Sequence, residues 1–475
     1  MSVNSHHAIL PAPISGGYNQ PTQILSISRQ PNFQSADIQT CNQPTPEVAI
    51  SRAGGYHPAV PRTIPPQARG LAPRLREALA DTPAVLIHGP RQCGKTTLAR
   101  TVGEPRGYRY LTFDDEAVRT AAVADPVGFV SAIKGRAILD EVQRVPELFT
   151  SLKAAIDSRR TAGRFILTGS ANVLLVPALA DSLAGRMGLL RLHPFAQCEL
   201  TATRSRFLDR LFRAGFRTSV GERRGTSFTD RIVAGGYPAA LARRAPARRR
   251  AWYRDLVETQ VQRDVRDLTR LHSLDALPRL LTLAAGYTAQ LMNVSDLAAP
   301  FQLTRPTITD YVTVLERIFL IDRLQPWHRN RLSRLVKTPK LHVADTGVAC
   351  ALLGLDVKGI HGDRQRLGPL LETFALQELR RLASWRPEPL EFFHFRDRDG
   401  YEVDIVIEQG AAAVAGVEVK STGTVTDADF RGLRKLRDSA GQDFVAGVVL
   451  YDGTTTTRFS ADMFAVPISA LWDAA

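Results

Sequence analysis

The sequence is poor in cysteine, and long apolar runs are missing from it. Its four cysteines, Cys41, Cys93, Cys198 and Cys350, show no paired spacing, so neither a disulfide framework nor a structural zinc site is expected. No 18 consecutive apolar residues occur, and the opening MSVNSHHAIL has no basic segment followed by an apolar one. We therefore expect a soluble, cytoplasmic protein with no membrane span and no secretion signal.

Lysine is also scarce, although the chain is basic. The 475 residues include 61 basic and 47 acidic side chains, a net charge of +14, but only eight of the basic residues are lysine. Because a high arginine content can be compositional drift, the position of the charge matters more than its total. Residues 241–350 hold 18 basic and 10 acidic residues, whereas residues 366–475 hold 12 and 17. An anion-binding surface is therefore expected before the last quarter of the chain.

The texture of the sequence changes several times along the chain. Residues 1–68 contain ten prolines and no sustained periodicity, which predicts a disordered segment or an extension upstream of the native start. Residues 71–200 alternate apolar strands with amphipathic helices, a pattern typical of a parallel sheet covered on both faces. Residues 201–275 are predicted to form a helical connector. Residues 366–475 alternate strands and helices again, which indicates a separate α/β domain.

A phosphate-binding loop is predicted at residues 89–96. The segment matches G-x-x-x-x-G-K-[ST] and lies between an apolar strand, 85–88, and a helix, 97–102, which is the context that this motif requires. Its glycines allow backbone amides to surround phosphate, and the helix dipole adds to the attraction. Lys95 would reach the β- and γ-phosphates and Thr96 would ligate Mg²⁺, so ATP and Mg²⁺ are the expected cofactors. The predicted nucleotide-binding residues of the loop are Gly89, Pro90, Arg91, Gln92, Cys93, Gly94, Lys95 and Thr96.

Two further strands would complete a hydrolytic site. One apolar strand ends in Asp140 and Glu141; Asp140 would hold Mg²⁺ through water, and Glu141 would orient and deprotonate the attacking water. The alternative is that these carboxylates only cap the helix that begins near Pro146. Another buried strand ends in LTGSAN, whose small polar residues, Asn172 among them, would face the γ-phosphate. Three such strands in this order favour hydrolysis over binding alone.

From residue 71 to residue 472 the chain resembles the prokaryotic AAA-type ATPases whose C-terminal half is a domain of unknown function. Beyond GPRQCGKT, LDEVQ and LTGSAN, the resemblance rests on LAGR, GGYP, QRDV, RPTITDYVTVLERIFLIDRL and KTPKLHVADTGVACALLG. It implies an α/β multidomain protein with a P-loop ATPase domain, a helical lid, a winged helix and a restriction-endonuclease-like domain. What members of this family do in the cell is largely unknown. Arg186 in LAGR resembles an arginine that senses or completes a nucleotide site, and the alternative is an ordinary solvated arginine.

Residues 276–350 carry the part of the resemblance that implies a winged helix. Asn293 is expected to cap a short helix, and Pro306 suits the first turn of the next helix. The buried face of that second helix would contain Ile308, Val312, Leu315 and Phe319. Its outward face would contain Arg305, Thr307, Thr309, Asp310, Thr313 and Glu316.

Such an outward face enters the major groove of DNA in helix-turn-helix proteins, so DNA is the expected partner. The wing would add phosphate contacts from Arg323, Arg329, Arg331, Arg334, Lys337 and Lys340. Asp310 and Glu316 oppose this interpretation because they repel phosphate. The alternative is a module that only relays the nucleotide state to its neighbours.

Two carboxylates and a lysine are predicted to converge in the C-terminal domain. Asp404 lies in the alternating segment EVDIVI, and Glu418 and Lys420 follow on one face of the next strand. Joined by a hairpin, the three would hold a divalent metal and an attacking water, with Lys420 stabilising the developing charge. The pattern resembles the Asp…Glu-x-Lys signature of restriction-like nucleases, and Glu372 on the preceding helix resembles their auxiliary metal ligand. The alternative is ordinary strand patterning with a surface ion pair.

Two functions are compatible with these features. The first is an ATP-regulated DNA-processing enzyme in which hydrolysis moves the winged helix and gates cleavage. The second is a nucleotide-switched binding protein whose nuclease-like domain is catalytically silent and docks a partner protein. The retained trio favours the first hypothesis, and the acidic character of the tail favours the second. The choice between DNA and RNA, and the oligomeric state, are left open by the sequence.

Overall fold

The computed structural model describes residues 69–170, 185–221, 227–268, 275–334 and 338–473. They belong to the second of the two units into which the chain divides, Met1–Tyr56 and His57–Ala475. The segment 1–68, predicted to be disordered, lies outside the described residues. Within the described ranges, no helix combines the length and the apolar character needed to cross a membrane.

A five-stranded parallel sheet forms the first part of this unit, with the strand order β2-β3-β4-β1-β5. Its strands are β1 (Ala84–His88), β2 (Arg109–Thr112), β3 (Ala137–Asp140), β4 (Phe165–Gly169) and β5 (Met187–Arg191). The helices of this part are α1 (Ala72–Asp81), α2 (Lys95–Gly103), α3 (Glu116–Ala124), α4 (Pro126–Ser131) and α5 (Leu148–Ser158). This confirms the predicted parallel sheet, and it places β1 near the centre with the loop 89–94 at its carboxyl end.

Alternate residues of the central strands fill two separate apolar clusters. Leu86, Leu139 and Leu167 belong to one cluster, whereas Val85 and its neighbours on the adjacent strands belong to the other. Side chains of a strand point alternately to the two faces of a sheet, so a strand that is apolar at every position is buried on both. The sheet is therefore covered by helices on its two faces, as the strand composition predicted.

The segment that follows is mainly helical. It contains α6 (Gln197–Leu200), α7 (Phe207–Asp209), α8 (Phe228–Ala234), α9 (Pro238–Leu241) and the long α10 (Pro246–Leu268). A short strand, β6 (Ser219–Val220), leaves this segment and pairs with the edge of the second sheet. The helical connector is thus tied to the C-terminal part of the chain by backbone hydrogen bonds.

Three helices and three strands come next, with the caps that the sequence predicted. The elements are α11 (Ala276–Gly286), β7 (Gln290–Leu291), α12 (Val294–Ala298), α13 (Arg305–Arg317), β8 (Ile321–Pro326) and β9 (Lys340–Val343). The Asn293 side chain accepts a hydrogen bond from the amide of Ser295 at 3.0 Å, and Pro306 lies in the first turn of α13. Ile308, Val312 and Leu315 are buried, as predicted for the inner face of α13. Phe319, the fourth residue predicted for that face, is buried too, but it lies beyond the end of the helix.

The C-terminal part is an α/β segment built on a mixed sheet of ten strands. Its elements are α14 (Thr346–Leu352), α15 (Val357–Gly362), α16 (Arg364–Ala383), β10 (Leu390–Arg396), β11 (Glu402–Gln409), β12 (Val414–Lys420), α17 (Arg431–Ala440), β13 (Phe444–Tyr451), β14 (Thr455–Arg458) and β15 (Met463–Pro467). The strand order is β6-β14-β15-β13-β12-β11-β10-β8-β9-β7. Because β8 pairs in parallel with β10, the hairpin β8–β9 extends the C-terminal sheet.

Asp322, at the start of β8, joins three parts of the fold. One of its carboxylate oxygens lies 2.9 Å from Arg380 of α16 and 3.3 Å from Arg191 of β5, and the other accepts from Gln377 at 3.0 Å. Burial alone raises the pKa of Asp322, but Arg380 and Arg191 outweigh burial and hold that pKa below its usual range. The carboxylate is therefore charged at neutral pH, and it links the five-stranded sheet, the hairpin and the long C-terminal helix.

We expect Asp322→Asn to lower the free energy of unfolding by about 3 to 5 kcal/mol, because the change leaves two arginines without their buried partner. Urea denaturation followed by circular dichroism measures this loss. The matched control is Asp427→Asn, which breaks the ion pair of Asp427 with Arg434 at the surface and is expected to cost less than about 1 kcal/mol. Equal losses in the two variants would contradict the anchoring role of Asp322.

Candidate functional site

The loop at the carboxyl end of β1 has the backbone shape that the motif demands. Gly94 has φ +99° and Gln92 has φ +59°, values that ordinary residues rarely adopt. A Cβ at Gly89 would lie 2.1 Å from the carbonyl oxygen of Leu192, so that position has no room for a side chain. Gly94 directly precedes α2, which directs the free amides of the helix N terminus toward the space enclosed by the loop.

Lys95 is folded back onto the loop that it follows. Its Nζ donates to the carbonyl oxygens of Gly89 at 3.0 Å and Pro90 at 2.9 Å, and the residue is 5% exposed. Phosphate oxygens are stronger acceptors for an ammonium group than neutral carbonyls. The lysine is therefore positioned to exchange these carbonyls for the β- and γ-phosphates of a nucleotide.

Asp140 at the end of β3 is surrounded by hydroxyl donors. Thr96 donates to its Oδ1 at 2.8 Å, Thr168 of β4 donates to the same oxygen, and Tyr110 of β2 donates to its Oδ2 at 2.9 Å. Burial, followed by the charge of Asp140, raises the pKa of Tyr110 to about 12, so the phenol keeps its proton at neutral pH. Thr96 and Asp140 are thus adjacent oxygen donors, the ligand type that Mg²⁺ prefers.

Glu141 adopts a strained backbone conformation immediately after this strand. Its φ is +59°, which is uncommon for a residue other than glycine and is found often at functional sites. The Glu141 amide donates to Thr168 Oγ1 at 3.2 Å, and its Oε2 accepts from Gln143 at 2.5 Å and from Ser170 at 3.2 Å. These contacts orient the carboxylate at the same edge of the sheet as the loop.

The structure therefore brings together the predicted loop, Asp140 and Glu141. Asn172 lies outside the described residues. Sequence reasoning did not single out Tyr110, Gln143, Thr168 or Ser170 as individual site residues. Their positions at or near the carboxyl ends of strands could have indicated them, because the carboxyl ends of parallel strands meet at one edge of the sheet.

The structure also places Cys93 and Arg186, two further residues that were predicted to belong to the nucleotide site. Cys93 is fully buried with its Sγ 3.5 Å from the Leu192 carbonyl oxygen, and burial raises the pKa of its thiol; it therefore packs under the loop as an apolar residue. Arg186 lies before β5, at the amino end of the sheet, and pairs with Asp157 at 2.5 Å. That end is opposite to the loop, so Arg186 is remote from the site of its own chain.

The loop rests against the segment that contains α13 and β8. The ring of His88, directly before Gly89, lies 5.9 Å from the ring of Phe319, and the Arg191 guanidinium lies 5.0 Å from the same Phe319 ring. Burial, helped by Arg191 and Lys95, lowers the pKa of His88 to about 3, so the imidazole is neutral. Phe319 itself has φ +61°.

A second group of charged side chains meets where β11 and β12 pair. Asp404 Oδ2 accepts from the amide of Val419 at 2.9 Å, and the Asp404 amide donates to Glu418 Oε2 at 3.4 Å. Lys420 Nζ donates to Glu418 Oε1 at 2.9 Å. The antiparallel register, Ile405 opposite Val417, brings the predicted trio to one point because Asp404 and Glu418 occupy the next paired positions.

Glu372 joins this trio, and so does a lysine that was assigned to another role. Lys340 Nζ of β9 lies 2.9 Å from Glu372 Oε1 and 3.4 Å from Asp404 Oδ1. The side chain of Lys340 is 6% exposed. The prediction that Lys340 contacts phosphate from a surface wing is therefore wrong. We call these five residues the carboxylate cluster: Glu372, Asp404, Glu418, Lys340 and Lys420.

The carboxylate cluster has one more carboxyl group than it has ammonium groups. Burial raises the pKa of Glu372 and of Glu418, and in both cases the charge of Asp404 adds to the increase. Burial lowers the pKa of Lys340, but Asp404 and Glu372 reverse this effect and raise it overall. The cluster therefore favours additional positive charge, from a proton or from a cation.

The donor set of the cluster suits a hard divalent ion. Carboxylate oxygens are the ligands that Mg²⁺ and Mn²⁺ prefer, and Glu372, Asp404 and Glu418 would supply them. Among the described residues, no group of three or more His, Cys, Asp and Glu side chains forms a ready metal-binding arrangement. Lys340 lies between Glu372 and Asp404.

The predicted phosphate contact of Arg334 is also wrong, whereas that of Arg323 stays a prediction. Arg323 pairs with Glu316 of α13, its Nε lying 2.9 Å from Oε2. Arg334 is buried, and its guanidinium forms two bonds to Glu408 of β11, at 2.8 and 2.7 Å. Arg329 and Arg331 are exposed, as predicted, and Lys337 lies outside the described residues.

Three family models match successive parts of the chain. Residues 81–201 match the AAA domain, residues 225–359 match a domain of unknown function (DUF8612), and residues 367–471 match a second domain of unknown function (DUF4143). Among solved structures, the Walker-type ATPase PABY2304 of Pyrococcus abyssi is 16% identical, with a TM-score of 0.36, and the match covers 59% of this chain and 94% of that one.

Two mycobacterial proteins are similar to most of the chain. They are the uncharacterized protein Rv2008c of Mycobacterium tuberculosis and the uncharacterized protein Mb2031c of Mycobacterium bovis. Each is 32% identical over 358 residues, which cover 75% of this chain and 74% of the relative. With this identity and coverage, and with a P-loop site of the geometry described above, the chain belongs to the prokaryotic AAA-type P-loop ATPases that carry a C-terminal domain of unknown function.

Proposed function

We propose that this protein binds ATP with Mg²⁺ and hydrolyses it, with Glu141 as the general base. The observation that carries the proposal is the convergence of the loop, the Thr96–Asp140 pair and the oriented Glu141 carboxylate at one edge of the sheet. In P-loop enzymes a threonine and an aspartate at these positions hold Mg²⁺, and a neighbouring group orients the attacking water.

Each group has a distinct task in this reaction. Lys95 and the amides that open α2 stabilise the charge of the β- and γ-phosphates. Thr96 and Asp140, whose side chains are hydrogen-bonded to each other, would hold Mg²⁺, which would neutralise phosphate charge. Glu141 accepts the proton of the attacking water, and its contacts with Gln143 and Ser170 keep the carboxylate from rotating away.

Two variants separate binding from hydrolysis. Lys95→Ala is expected to lose ATP binding, because it removes the cation that faces the phosphates. Glu141→Gln should keep ATP bound but lower the turnover rate by about 10² to 10⁴, the range attributed to a general base. Isothermal titration with ATP and a phosphate-release assay measure the two quantities.

Glu104→Gln is the control for both variants, since Glu104 lies at the far end of α2 and pairs with Arg100 at the surface. It should retain both properties. Turnover by Glu141→Gln equal to that of the wild type would assign the base to another residue.

We also propose that the carboxylate cluster hydrolyses phosphodiester bonds of nucleic acid with a divalent metal, under the control of the ATPase. The convergence of Asp404, Glu418 and Lys420 supports this activity, because hydrolysis needs a metal to generate hydroxide and a cation to take up charge in the transition state. Asp404, Glu418 and Glu372 would hold the metal. Lys420, about one third exposed, is the group that can approach a substrate.

Asp404→Ala should abolish cleavage of supercoiled plasmid in Mg²⁺ or Mn²⁺ while ATP hydrolysis stays nearly unchanged, since the two sites are built on different sheets. Lys420→Ala should lower the cleavage rate by roughly 10². Agarose gels run with and without ATP provide the measurement, and Asp427→Ala, a change at the surface, is the control. Intact plasmid, linear duplex and single strands after incubation with both metals would favour a silent domain that docks a partner protein.

The segment from α11 to β9 is proposed as a winged helix that binds duplex DNA. Arg305 and Thr309 of α13, both exposed, would face the groove, and the exposed Arg329 and Arg331 would contact phosphates. Replacing Arg329 and Arg331 together by alanine should weaken binding to all sequences and reduce the salt slope by up to about 2.

Filter binding at several salt concentrations measures this effect. Replacing the equally exposed Arg76 and Arg159 of the ATPase domain makes the same change in net charge and should leave the slope unaltered. An equal reduction in both double variants would mean that the binding responds to total charge only. In that case the segment is a relay or a protein-docking module.

A further inference from the structure

Lys340 reaches the carboxylate cluster from outside the C-terminal domain. It is the first residue of β9, in the hairpin that follows α13, whereas Glu372, Asp404, Glu418 and Lys420 belong to α16, β11 and β12. Its Nζ lies between one oxygen of Glu372 and one of Asp404. Two carboxylates from different elements therefore share one ammonium group that neither element supplies.

An ammonium group between two carboxylates occupies the position that a bridging metal ion would take. Lys340 Nζ is 2.9 and 3.4 Å from the two oxygens, and a bound Mg²⁺ or Mn²⁺ would lie closer, at roughly 2.0 to 2.3 Å. The two cations cannot occupy this space together, since they would be in contact and would repel each other. The four-carbon stem of lysine, however, allows its charged end to move.

His342 supplies a second sign that this site is built for a ligand. It lies on the same face of β9 as Lys340, it is fully buried, and its Nδ1 meets the hydroxyl of Thr373 at 3.0 Å. Among the described residues, its Nε2 has no hydrogen-bond partner, and this atom lies 3.9 Å from Glu372 Oε1. A buried nitrogen aimed at a carboxylate without bonding to it is costly unless a ligand completes the pair.

We propose that Lys340 is a built-in competitor for the metal of the carboxylate cluster, so that a divalent ion binds to Glu372 and Asp404 only when the Lys340 ammonium withdraws. This inference rests on the proposed metal site of the C-terminal domain. It adds that the metal-free cluster is closed by a charge from the preceding hairpin. Metal occupancy then depends on the position of that hairpin.

The contrasting possibility is that Lys340 assists the metal, as a fixed second lysine that stabilises charge during hydrolysis. The two roles predict opposite effects of removing the ammonium group on metal affinity. If Lys340 competes, its loss tightens metal binding. If Lys340 assists, its loss leaves metal affinity unchanged or weakens it, and only the rate of cleavage falls.

Titration of Mn²⁺ into the full chain, followed by electron paramagnetic resonance without nucleotide, distinguishes these roles. Lys340→Met should bind Mn²⁺ more tightly than the wild type, on the order of tenfold, within the usual range of coupling between two sites. Lys340→Arg, which keeps the charge, should show no gain. In the Lys340→Met, Asp404→Asn double variant the gain should disappear, which assigns it to the cluster.

The matched control is Lys358→Met, which removes the same charge from a lysine outside the cluster. Lys358 is exposed on α15, so its loss should change Mn²⁺ affinity by less than about threefold. Equal gains from the two methionine variants would reduce the effect to general electrostatics and overturn the proposal. So would unchanged or weaker binding by Lys340→Met.

A second measurement uses the wild-type protein and does not depend on a folded variant. Acylation of lysine amines by acetic anhydride, read by mass spectrometry, should be slow at Lys340 in the absence of metal and faster at saturating Mn²⁺. The exposed Lys358 is the internal control, and its rate should not change. A Lys340 that stays equally protected at saturating Mn²⁺ has not withdrawn, and the proposal is then wrong.

Cleavage assays on the same preparations separate this inference from the proposed nuclease activity. Tighter Mn²⁺ binding by Lys340→Met without any cut plasmid would end the nuclease proposal and leave the competition intact. Cleavage by the wild type together with unchanged Mn²⁺ affinity in Lys340→Met would support the nuclease proposal and overturn the competition.

Discussion

One buried carboxylate, Asp322, holds the two sheets of this protein in a common frame. Removing a charge from water costs several kcal/mol, and only close opposite charges and hydrogen bonds repay it. Arg191 arrives from β5 and Arg380 from α16, so the carboxylate is satisfied only when both sheets are in place. The two arginines depend on Asp322 in turn, because each is partly buried and is paired with this carboxylate. The arrangement of the domains is thus selected by an electrostatic requirement that no single domain can meet.

Asp322 lies on a short series of contacts between the phosphate-binding loop and the carboxylate cluster. His88 and Arg191 stand behind the phosphate-binding loop and contact Phe319, which lies just before β8. Asp322 of β8 is paired with His342 of β9, and Leu324 is paired with Lys340. A displacement of β5 that accompanied nucleotide binding would therefore act on the strand that carries the Lys340 ammonium. The hairpin is the element through which nucleotide state and the state of the carboxylate cluster can be coupled.

Local patterns in the sequence were sufficient to predict those parts of the fold and of the sites that depend on residues close together in the chain. The loop, Asp140, Glu141 and the Asp404–Glu418 pair follow from motif spacing and from the twofold period of adjacent strands. Lys340, Arg334 and Tyr110 could not be placed in this way. Their partners lie 32, 74 and 30 positions away on other elements, and a long basic side chain gives no local sign that distinguishes a buried ion pair from a surface contact. These residues needed the tertiary arrangement.

Arg334 and Lys340 also explain part of the uneven distribution of charge along the chain. The basic middle segment and the acidic tail resemble two independent surfaces when only their net charges, +8 and −5, are counted. In the structure, Arg334 is bound to Glu408, and Lys340 is bound to Glu372 and Asp404. Basic residues of the middle segment are therefore neutralised by acidic residues of the tail, so part of the asymmetry is the complementarity of an internal interface. An anionic partner would meet the basic residues that stay exposed, such as Arg329 and Arg331, and not those that are paired inside the protein.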